Sequence, residues 1–217
     1  MRLFPHTALL YIADPMCSWC WGFSPVMESI REKYRDLIHI DLLVGGLRPG
    51  NTERFDDQRR EYILGHWKAV HERTGQPFNF EFRMEPGFTY DTEPASRAVV
   101  TVRAIRPDLV FPIFYDLQRA FYADNRDITR ESVLADIASS HGLGQGEFLH
   151  SFRHPDMKKQ SWQEFERCRE LGITGFPSLL GKNGEAYTSL AHGYMPFDTL
   201  RPHIEDWMTL TTTRANS

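Results

Sequence analysis

Two of the chain's three cysteines lie close together, in the run Cys17-Ser18-Trp19-Cys20. An ionised thiol attacks a disulfide, and a second thiol one helical turn away can then displace the product from the mixed disulfide. The pair follows an apolar run at residues 8–12 and opens a segment of helical periodicity at residues 17–35. Free amide groups at a helix N-terminus stabilise an anion, here the Cys17 thiolate. The sequence therefore predicts thiol–disulfide chemistry at Cys17 and Cys20.

A zinc site is the first alternative for this spacing of cysteines. Structural zinc needs about four ligands, whereas the only other cysteine is Cys168 and no second cysteine pair accompanies it. Cys168 falls within a segment of helical periodicity, where a cysteine is most often a small buried hydrophobic residue. His66 and His71 are five residues apart, so they do not share a helix face. We therefore expect no metal and no other cofactor, because the cysteines carry the electrons.

The elements that must position the pair are two strands and a helix. Residues 8–12 are typical of a strand buried on both faces, and residues 38–44 predict a second strand that Gly45 and Gly46 end. With the helix between them, this order implies a right-handed crossover and a parallel pair of strands. The run at residues 45–50 matches no phosphate-binding motif and predicts a tight turn.

The last third of the chain returns to alternating elements. The pattern predicts a helix at residues 158–171, strands at 178–181 and 186–191 with a turn at 182–184, and a closing helix at 197–210. The dipeptide Phe176-Pro177 precedes the first of these strands. A proline cannot occupy the middle of a strand, so Pro177 marks a strand start or an edge.

The middle of the chain is different, since helical spacing dominates it at residues 98–105, 110–122 and 133–141. The phenylalanine-rich segment 77–90 is ambiguous between extended chain and loop. We therefore expect an α/β fold with a large α-helical insertion. The expected division is a discontinuous domain formed by residues 1–51 and 151–210, an insertion at 52–150, and a disordered tail at 211–217.

Composition excludes several classes of function. The chain has 217 residues, 41 % of them hydrophobic, with a formal net charge of -4. An acidic balance gives no general attraction to nucleic acid or to an anionic membrane surface. Three cysteines are too few for a secreted disulfide scaffold, and no apolar run approaches the roughly 18 residues of a membrane span. The N-terminus lacks the pattern of a secretory signal, so we expect a cytoplasmic protein.

Together the two motifs carry a resemblance to a known family. Residues 14–23 and residues 172–178 resemble the DsbA-like branch of the thioredoxin superfamily, and most closely its cytoplasmic members called predicted disulfide isomerases. The resemblance covers nearly the whole chain and implies a thioredoxin-like fold around the helical insertion.

This resemblance also implies roles for particular residues. Cys17 would be the exposed nucleophile and Cys20 the buried resolving cysteine. Pro177 would follow a cis peptide bond and face the pair, with the backbone of Phe176 pairing with bound polypeptide. Trp19 and Trp21, which flank Cys20, are expected to contact the substrate.

The sequence departs from the family in two places. Many relatives carry a buried acidic residue six positions before the first cysteine, where this chain has Tyr11. No histidine lies between the cysteines, so the imidazolium that helps a strongly oxidising relative to hold its thiolate is absent. The second departure implies a less oxidising pair, which suits a reducing compartment.

We therefore expect a thiol–disulfide oxidoreductase that reduces or isomerises protein or small-molecule disulfides and is recycled by an unidentified redox partner. Two alternatives remain. Glutathione-dependent isomerases and transferases of the hydroxychromene-carboxylate isomerase type resemble this architecture, but they typically carry a serine near the position of Cys17 and lack the second cysteine. A non-catalytic module could instead hold a peptide in the groove beside Pro177.

Overall fold

The computed structural model describes residues 7–215 of the chain, with side chains up to residue 211. Its first unit consists of strand β1 (Thr7–Ala13), helix α1 (Ser18–Tyr34) and strand β2 (His39–Val44). The two strands pair in parallel, with Leu9 opposite Ile40. This confirms the predicted strand–helix–strand unit. Six of the seven β1 residues are buried, which explains why the strand is apolar on both faces.

The C-terminal unit completes the sheet. Strand β3 (Ser178–Asn183) pairs antiparallel with β1, and strand β4 (Ala186–His192) pairs antiparallel with β3, giving the strand order β2-β1-β3-β4. The turn between them comprises residues 184–185, so it begins two residues later than predicted. Helix α8 (Phe197–Ala215) packs on this unit, with the Trp207 ring so close to Gly181 that an added Cβ would lie 2.2 Å from it. The thioredoxin-like α/β fold is thereby confirmed.

Six α-helices lie between β2 and β3, and four of them, with most of a fifth, fall within the predicted insertion at residues 52–150, whereas the last belongs to the segment 151–210. They are α2 (Asp57–Thr74), α3 (Glu93–Ile105), α4 (Val110–Tyr122), α5 (Glu131–Ser140), α6 (Gln145–Phe152) and α7 (Pro155–Glu170). Helices α3, α4, α5 and α7 confirm the predicted ones, whereas α2 and α6 were not predicted. In α2 the buried side chains form only the narrow stripe Ile63, Trp67 and Val70, and charged or polar residues fill most of the remaining positions.

The phenylalanine-rich segment 77–90 is an irregular loop that packs through its rings. Phe82 is fully buried, with its ring centroid 4.7 Å from that of Trp67 and 5.3 Å from that of Phe121. The Asn79 amide donates to the Tyr122 carbonyl at 2.7 Å, which fixes the loop to the end of α4. One continuous apolar core runs from β1 and α1 through these rings to the helices of the insertion.

The prediction of a disordered tail from residue 211 onward was wrong for most of that segment. Helix α8 continues to Ala215. The Thr211 hydroxyl donates to the carbonyls of Trp207 and Met208 within the helix. Residues 216–217 lie outside the described part. Within residues 7–215, no helix has the length and apolar character needed to cross a membrane.

Candidate redox site

The two cysteines lie at the start of α1, where the chain leaves β1. Cys17 is the N-cap residue, with extended backbone angles (φ −96°, ψ 115°), and its carbonyl accepts the first helical hydrogen bond from Trp21 at 3.1 Å. Its own amide donates to the carbonyl of Asp14 at 3.1 Å, which closes the turn between strand and helix. Cys17 therefore lies at the N-terminus of α1, as the sequence predicted, although its side chain makes no capping hydrogen bond.

The two thiols are free and both are largely enclosed. Only 6 % of Cys17 is exposed and Cys20 is fully buried. The resemblance implied an exposed nucleophile, so this expectation is corrected: Cys17 is merely the more accessible of the two. Burial raises the pKa of Cys20 well above its usual value, and the adjacent Cys17 thiol raises it further. Cys20 is therefore protonated in the resting site, and only Cys17 offers a sulfur to an incoming disulfide.

Phe176 and Pro177 lie across from the pair. Their peptide bond is cis, and the Cys17 thiol lies 3.6 Å from the Phe176 carbonyl, to which it donates. The cis bond confirms that part of the prediction, whereas the role of Phe176 and Pro177 in binding substrate stays a prediction. The Phe176 ring packs onto Gly45, where an added Cβ would lie 2.1 Å from a ring carbon. Because Gly45 has no side chain, the loop after β2 leaves room for the Phe176 ring, and the Phe176 loop can approach Cys17.

Asp14 is a residue of the site that sequence reasoning missed. It is fully buried, and its two carboxylate oxygens accept the amides of Met16 at 2.8 Å and Leu47 at 2.7 Å. Burial raises the pKa of Asp14 to about 6, against the lowering effect of these amides. The carboxylate ties the cysteine loop to the loop after β2. An acidic residue directly after a buried strand and before the cysteine pair was the available signal.

The insertion also contributes to the site. The hydroxyl of Tyr90 donates to the carbonyl of Met16 at 2.8 Å, and its oxygen lies 3.5 Å from the hydroxyl of Tyr122. Both rings are buried, and burial raises the pKa of each hydroxyl, so they remain neutral donors. Tyr90, which lies more than 70 positions away in the sequence, therefore fixes the backbone of Met16 directly before Cys17.

Tyr11 is buried in β1, six positions before Cys17. Its ring stacks on Phe23 with centroids 5.8 Å apart. Burial raises the pKa of Tyr11 well above its usual value, with a further contribution from Cys20. The hydroxyl has no hydrogen-bond partner among the described residues.

A comparison with protein families shows to which family this chain belongs. Residues 10–205 match the family described as the DSBA-like thioredoxin domain. The chain belongs to the DSBA-like thioredoxin domain family. A candidate protein disulfide isomerase from Nitrosomonas europaea is 39 % identical, with a TM-score of 0.88 over 95 % of this chain and 99 % of that one.

Two further relatives are more distant. The cytosolic disulfide reductase DsbM from Pseudomonas aeruginosa is 23 % identical, with a TM-score of 0.73 over 96 % of this chain and 98 % of that one, which shows a shared fold. The ClpXP adapter protein SpxH from Halalkalibacterium halodurans is 22 % identical over 90 % of this chain. The chain spans 65 % of the length of that relative.

Within this DSBA-like site the two tryptophans differ. Trp19 is half-buried at the rim, where its ring centroid lies 6.0 Å from that of Tyr194. The expectation that Trp21 contacts substrate is corrected, because Trp21 is fully buried. Its indole donates to the carbonyl of Pro77 at 2.9 Å, and its ring stacks on Tyr122. Trp21 therefore anchors α1 to the insertion.

The third cysteine lies apart from the pair. Cys168 is buried in a smaller apolar cluster with Leu10 and Leu180, and its thiol lies 3.6 Å from the Val44 carbonyl. Burial raises the pKa of Cys168 to about 12. This confirms the expectation of a small buried residue. No group of three or more potential metal ligands occurs among the described residues.

Proposed function

We propose that this DSBA-like protein is a thiol–disulfide oxidoreductase that reduces or isomerises disulfides through Cys17 and Cys20. One observation carries the proposal: a partly accessible thiol at the N-cap of α1 has a fully buried thiol one turn further and a backbone carbonyl at 3.6 Å. The thiol pair supplies the electrons, so the reaction needs no metal, flavin or nucleotide.

The reaction consists of two exchanges. The Cys17 thiolate attacks one sulfur of the substrate disulfide, forms a mixed disulfide and releases the other substrate sulfur as a thiolate that takes up a proton. Cys20 then loses its proton and attacks Cys17, which releases the second substrate thiolate. The substrate disulfide is reduced to two thiols while Cys17 and Cys20 are oxidised to a disulfide. An external dithiol or glutathione must reduce this disulfide again, and it is the recycling partner of the proposal.

The surface around Cys17 suits small disulfides as well as extended peptides. Trp19 and Tyr194 form an aromatic wall at the rim, and the Arg73 guanidinium lies 5.9 Å from the Tyr194 ring. A cation on this wall complements the carboxylates of a glutathione disulfide. DsbM, which shares the fold, has a solved structure with GSH. An extended polypeptide would instead pair with the backbone of Phe176. A reductase acts where thiols are kept reduced, so we propose that the protein works in the cytoplasm.

A peptide-binding module without catalysis is the second candidate. The similarity to SpxH, an adapter protein, favours it, although this chain spans only 65 % of that relative. A peptide-binding module would use the groove beside Phe176 and Pro177, and its binding would not depend on whether the cysteines are oxidised or reduced. Reduction of a disulfide by catalytic amounts of the protein would therefore separate the two candidates.

The proposal is tested by the reduction of insulin disulfides with dithiothreitol as the electron source. We expect Cys17→Ser to lose the catalysed rate entirely, because the only partly accessible thiol is removed. Cys168→Ser is the matched control, since it removes a thiol from the apolar cluster beside β3. It should retain most of the activity. An equal loss in both variants, or no catalysis by the wild-type protein, would contradict the proposed function.

A further inference from the structure

A cavity of about 310 Å³ lies between α1 and α4. Met27, Phe111 and Phe114 give it apolar walls, and the exposed residues Glu28 and Tyr115 mark its mouth at the surface. None of its lining residues belongs to the cysteine loop or to the loop before β3. A largely apolar cavity of this volume lies within the size range of small-molecule sites.

The inner wall of this cavity carries an amide that the protein does not pair. Gln118 of α4 is fully buried, and neither its amide nitrogen nor its amide oxygen has a hydrogen-bond partner among the described residues. The Tyr11 hydroxyl, which also lines the cavity, is unpaired in the same part of the chain. By contrast, the Ser24 hydroxyl on this wall donates to the Trp21 carbonyl at 2.8 Å and accepts from Gln76. Leaving a buried amide unpaired is costly, so Gln118 indicates a partner from outside the chain.

The mouth of the cavity carries a cation that has no anionic partner. Arg31 of α1 is half-buried, and its guanidinium makes no ion pair or hydrogen bond within the described part of the chain. It lies 4.4 Å from the centre of the Phe111 ring, which holds it at the mouth. Burial lowers the pKa of Arg31, and the nearby Glu28 offsets only part of this effect. A guanidinium over a ring keeps N–H groups at its edge with which it can bind a carboxylate.

We propose that this cavity binds a small apolar molecule that has a carboxylate at one end and a primary carboxamide at the other. The carboxylate pairs with the Arg31 guanidinium at the mouth, and the apolar body lies between Met27 and Phe114. The carboxamide donates to the Gln118 amide oxygen and accepts from the Gln118 amide nitrogen, which leaves its second N–H for the Tyr11 hydroxyl. The site takes no part in disulfide exchange, so the inference goes beyond the proposed function.

Glu28 is the charge at the mouth that opposes an anionic ligand. Its side chain is exposed, so solvent screens its repulsion more than it screens the attraction of the half-buried Arg31. Glu28→Gln should therefore tighten the binding of a carboxylate about twofold. A weaker binding in this variant would show that the ligand does not place its carboxylate at this mouth.

The binding test uses 4-carbamoylbenzoate, whose carboxylate and carboxamide lie at opposite positions of one ring. Two matched probes each lack one end: benzamide has no carboxylate, and 4-methylbenzoate has a methyl group in place of the amide. Dissociation constants for the full chain are measured by titration in nuclear magnetic resonance. We expect the wild-type protein to bind 4-carbamoylbenzoate about five- to tenfold more tightly than either matched probe.

Two variants test the two ends of the site separately. Gln118→Leu, which has a similar size and no amide, should lose the preference for 4-carbamoylbenzoate over 4-methylbenzoate. It should also unfold at a higher urea concentration than the wild type, because an unpaired buried amide is removed. Arg31→Met should lose the preference for 4-carbamoylbenzoate over benzamide. Arg35→Met is the matched control for the loss of one positive charge, because Arg35 is 73 % exposed and does not line the cavity.

The proposal is overturned if the wild-type protein binds none of the probes at millimolar concentrations, or binds all three equally, since the cavity would then hold only water. An unchanged preference in Gln118→Leu or in Arg31→Met would overturn it as well. Loss of binding in Cys17→Ser would assign the probe to the redox site instead. Insulin reduction is measured on the same wild-type sample, and its absence together with normal probe binding would contradict the proposed function alone.

Discussion

Single residues of this site have very different electrostatic surroundings although they lie within a few positions of one another. Cys17 lies at the N-terminus of α1 and is slightly exposed, whereas Cys20 is enclosed and neutral. Asp14 is enclosed too, but two backbone amides partly offset the cost of its charge. The chemistry therefore depends on local placement more than on residue type.

Asp14 predicts a pH dependence of stability. Its folded-state pKa is about 6 against an ordinary value near 3.8, so the folded protein binds a proton more tightly than the unfolded chain. The unfolding free energy should therefore fall as the pH rises from about 4 to about 6, by about 3 kcal/mol. We expect Asp14→Asn to remove this part of the fall in urea unfolding measured at pH 4 and at pH 7.

The matched control for this prediction is Asp36→Asn, because that carboxylate is 92 % exposed. It should keep the wild-type difference between the two pH values. If Asp14→Asn also kept the full difference, the carboxylate would not be the group that titrates, and its burial would have no effect on stability.

The sequence identified the cysteines and the Phe176-Pro177 pair because each forms a short local motif. It missed Tyr90 and Tyr122, since their contacts with the cysteine loop join residues far apart in the chain. The same limit applies to Trp21, whose type and position suggested the substrate groove. Its burial depends on Pro77 and Tyr122, which no local pattern reveals.

At the scale of the elements, the site depends on how closely two loops approach. The loop after β2 carries Gly45, and the loop before β3 carries Phe176. An alanine Cβ at position 45 would lie 2.1 Å from the Phe176 ring, well inside contact distance. The ring must then move, and the carbonyl that contacts Cys17 moves with it.

Gly45→Ala should therefore reduce both stability and activity. We expect a loss of about 1–3 kcal/mol in the unfolding free energy, as for other insertions into a packed interior, and a slower reduction of insulin disulfides. Gly65→Ala is the control, because Gly65 lies within α2 and an added Cβ meets nothing within 4 Å. It should raise stability by up to about 1 kcal/mol and leave the rate unchanged. Wild-type stability and rate in Gly45→Ala would show that the loops are not coupled in this way.

The strands and the helix around the cysteines were predictable because their patterns are strong and their neighbours in sequence are also neighbours in the sheet. Helix α2 was not, because it buries only three side chains and its charged residues hide the helical period. Helix α6 is short, and its buried residues Phe148 and Phe152 give a single pair at helical spacing. The irregular loop at residues 77–90 owes its shape to long-range ring packing, which the sequence does not encode locally.

In the whole molecule, the redox site lies where the sheet and the helical insertion meet. The apolar core is continuous across both, and the insertion contributes Tyr90 to the cysteine loop. The division of the chain at residues 52 and 150 stays a prediction from the sequence. The continuous core indicates that the insertion helps to form the site and does more than cover it.

The central claim, that Cys17 receives the substrate and Cys20 releases it, is tested most directly by trapping. In Cys20→Ser no second thiol can displace the substrate, so exposure to oxidised glutathione should leave one glutathione bound covalently to the protein. Peptide mapping by mass spectrometry locates the modified residue. The account predicts that glutathione is attached to Cys17 in Cys20→Ser and does not accumulate in the wild-type protein. Attachment mainly at Cys168, or no attachment at all, would contradict it.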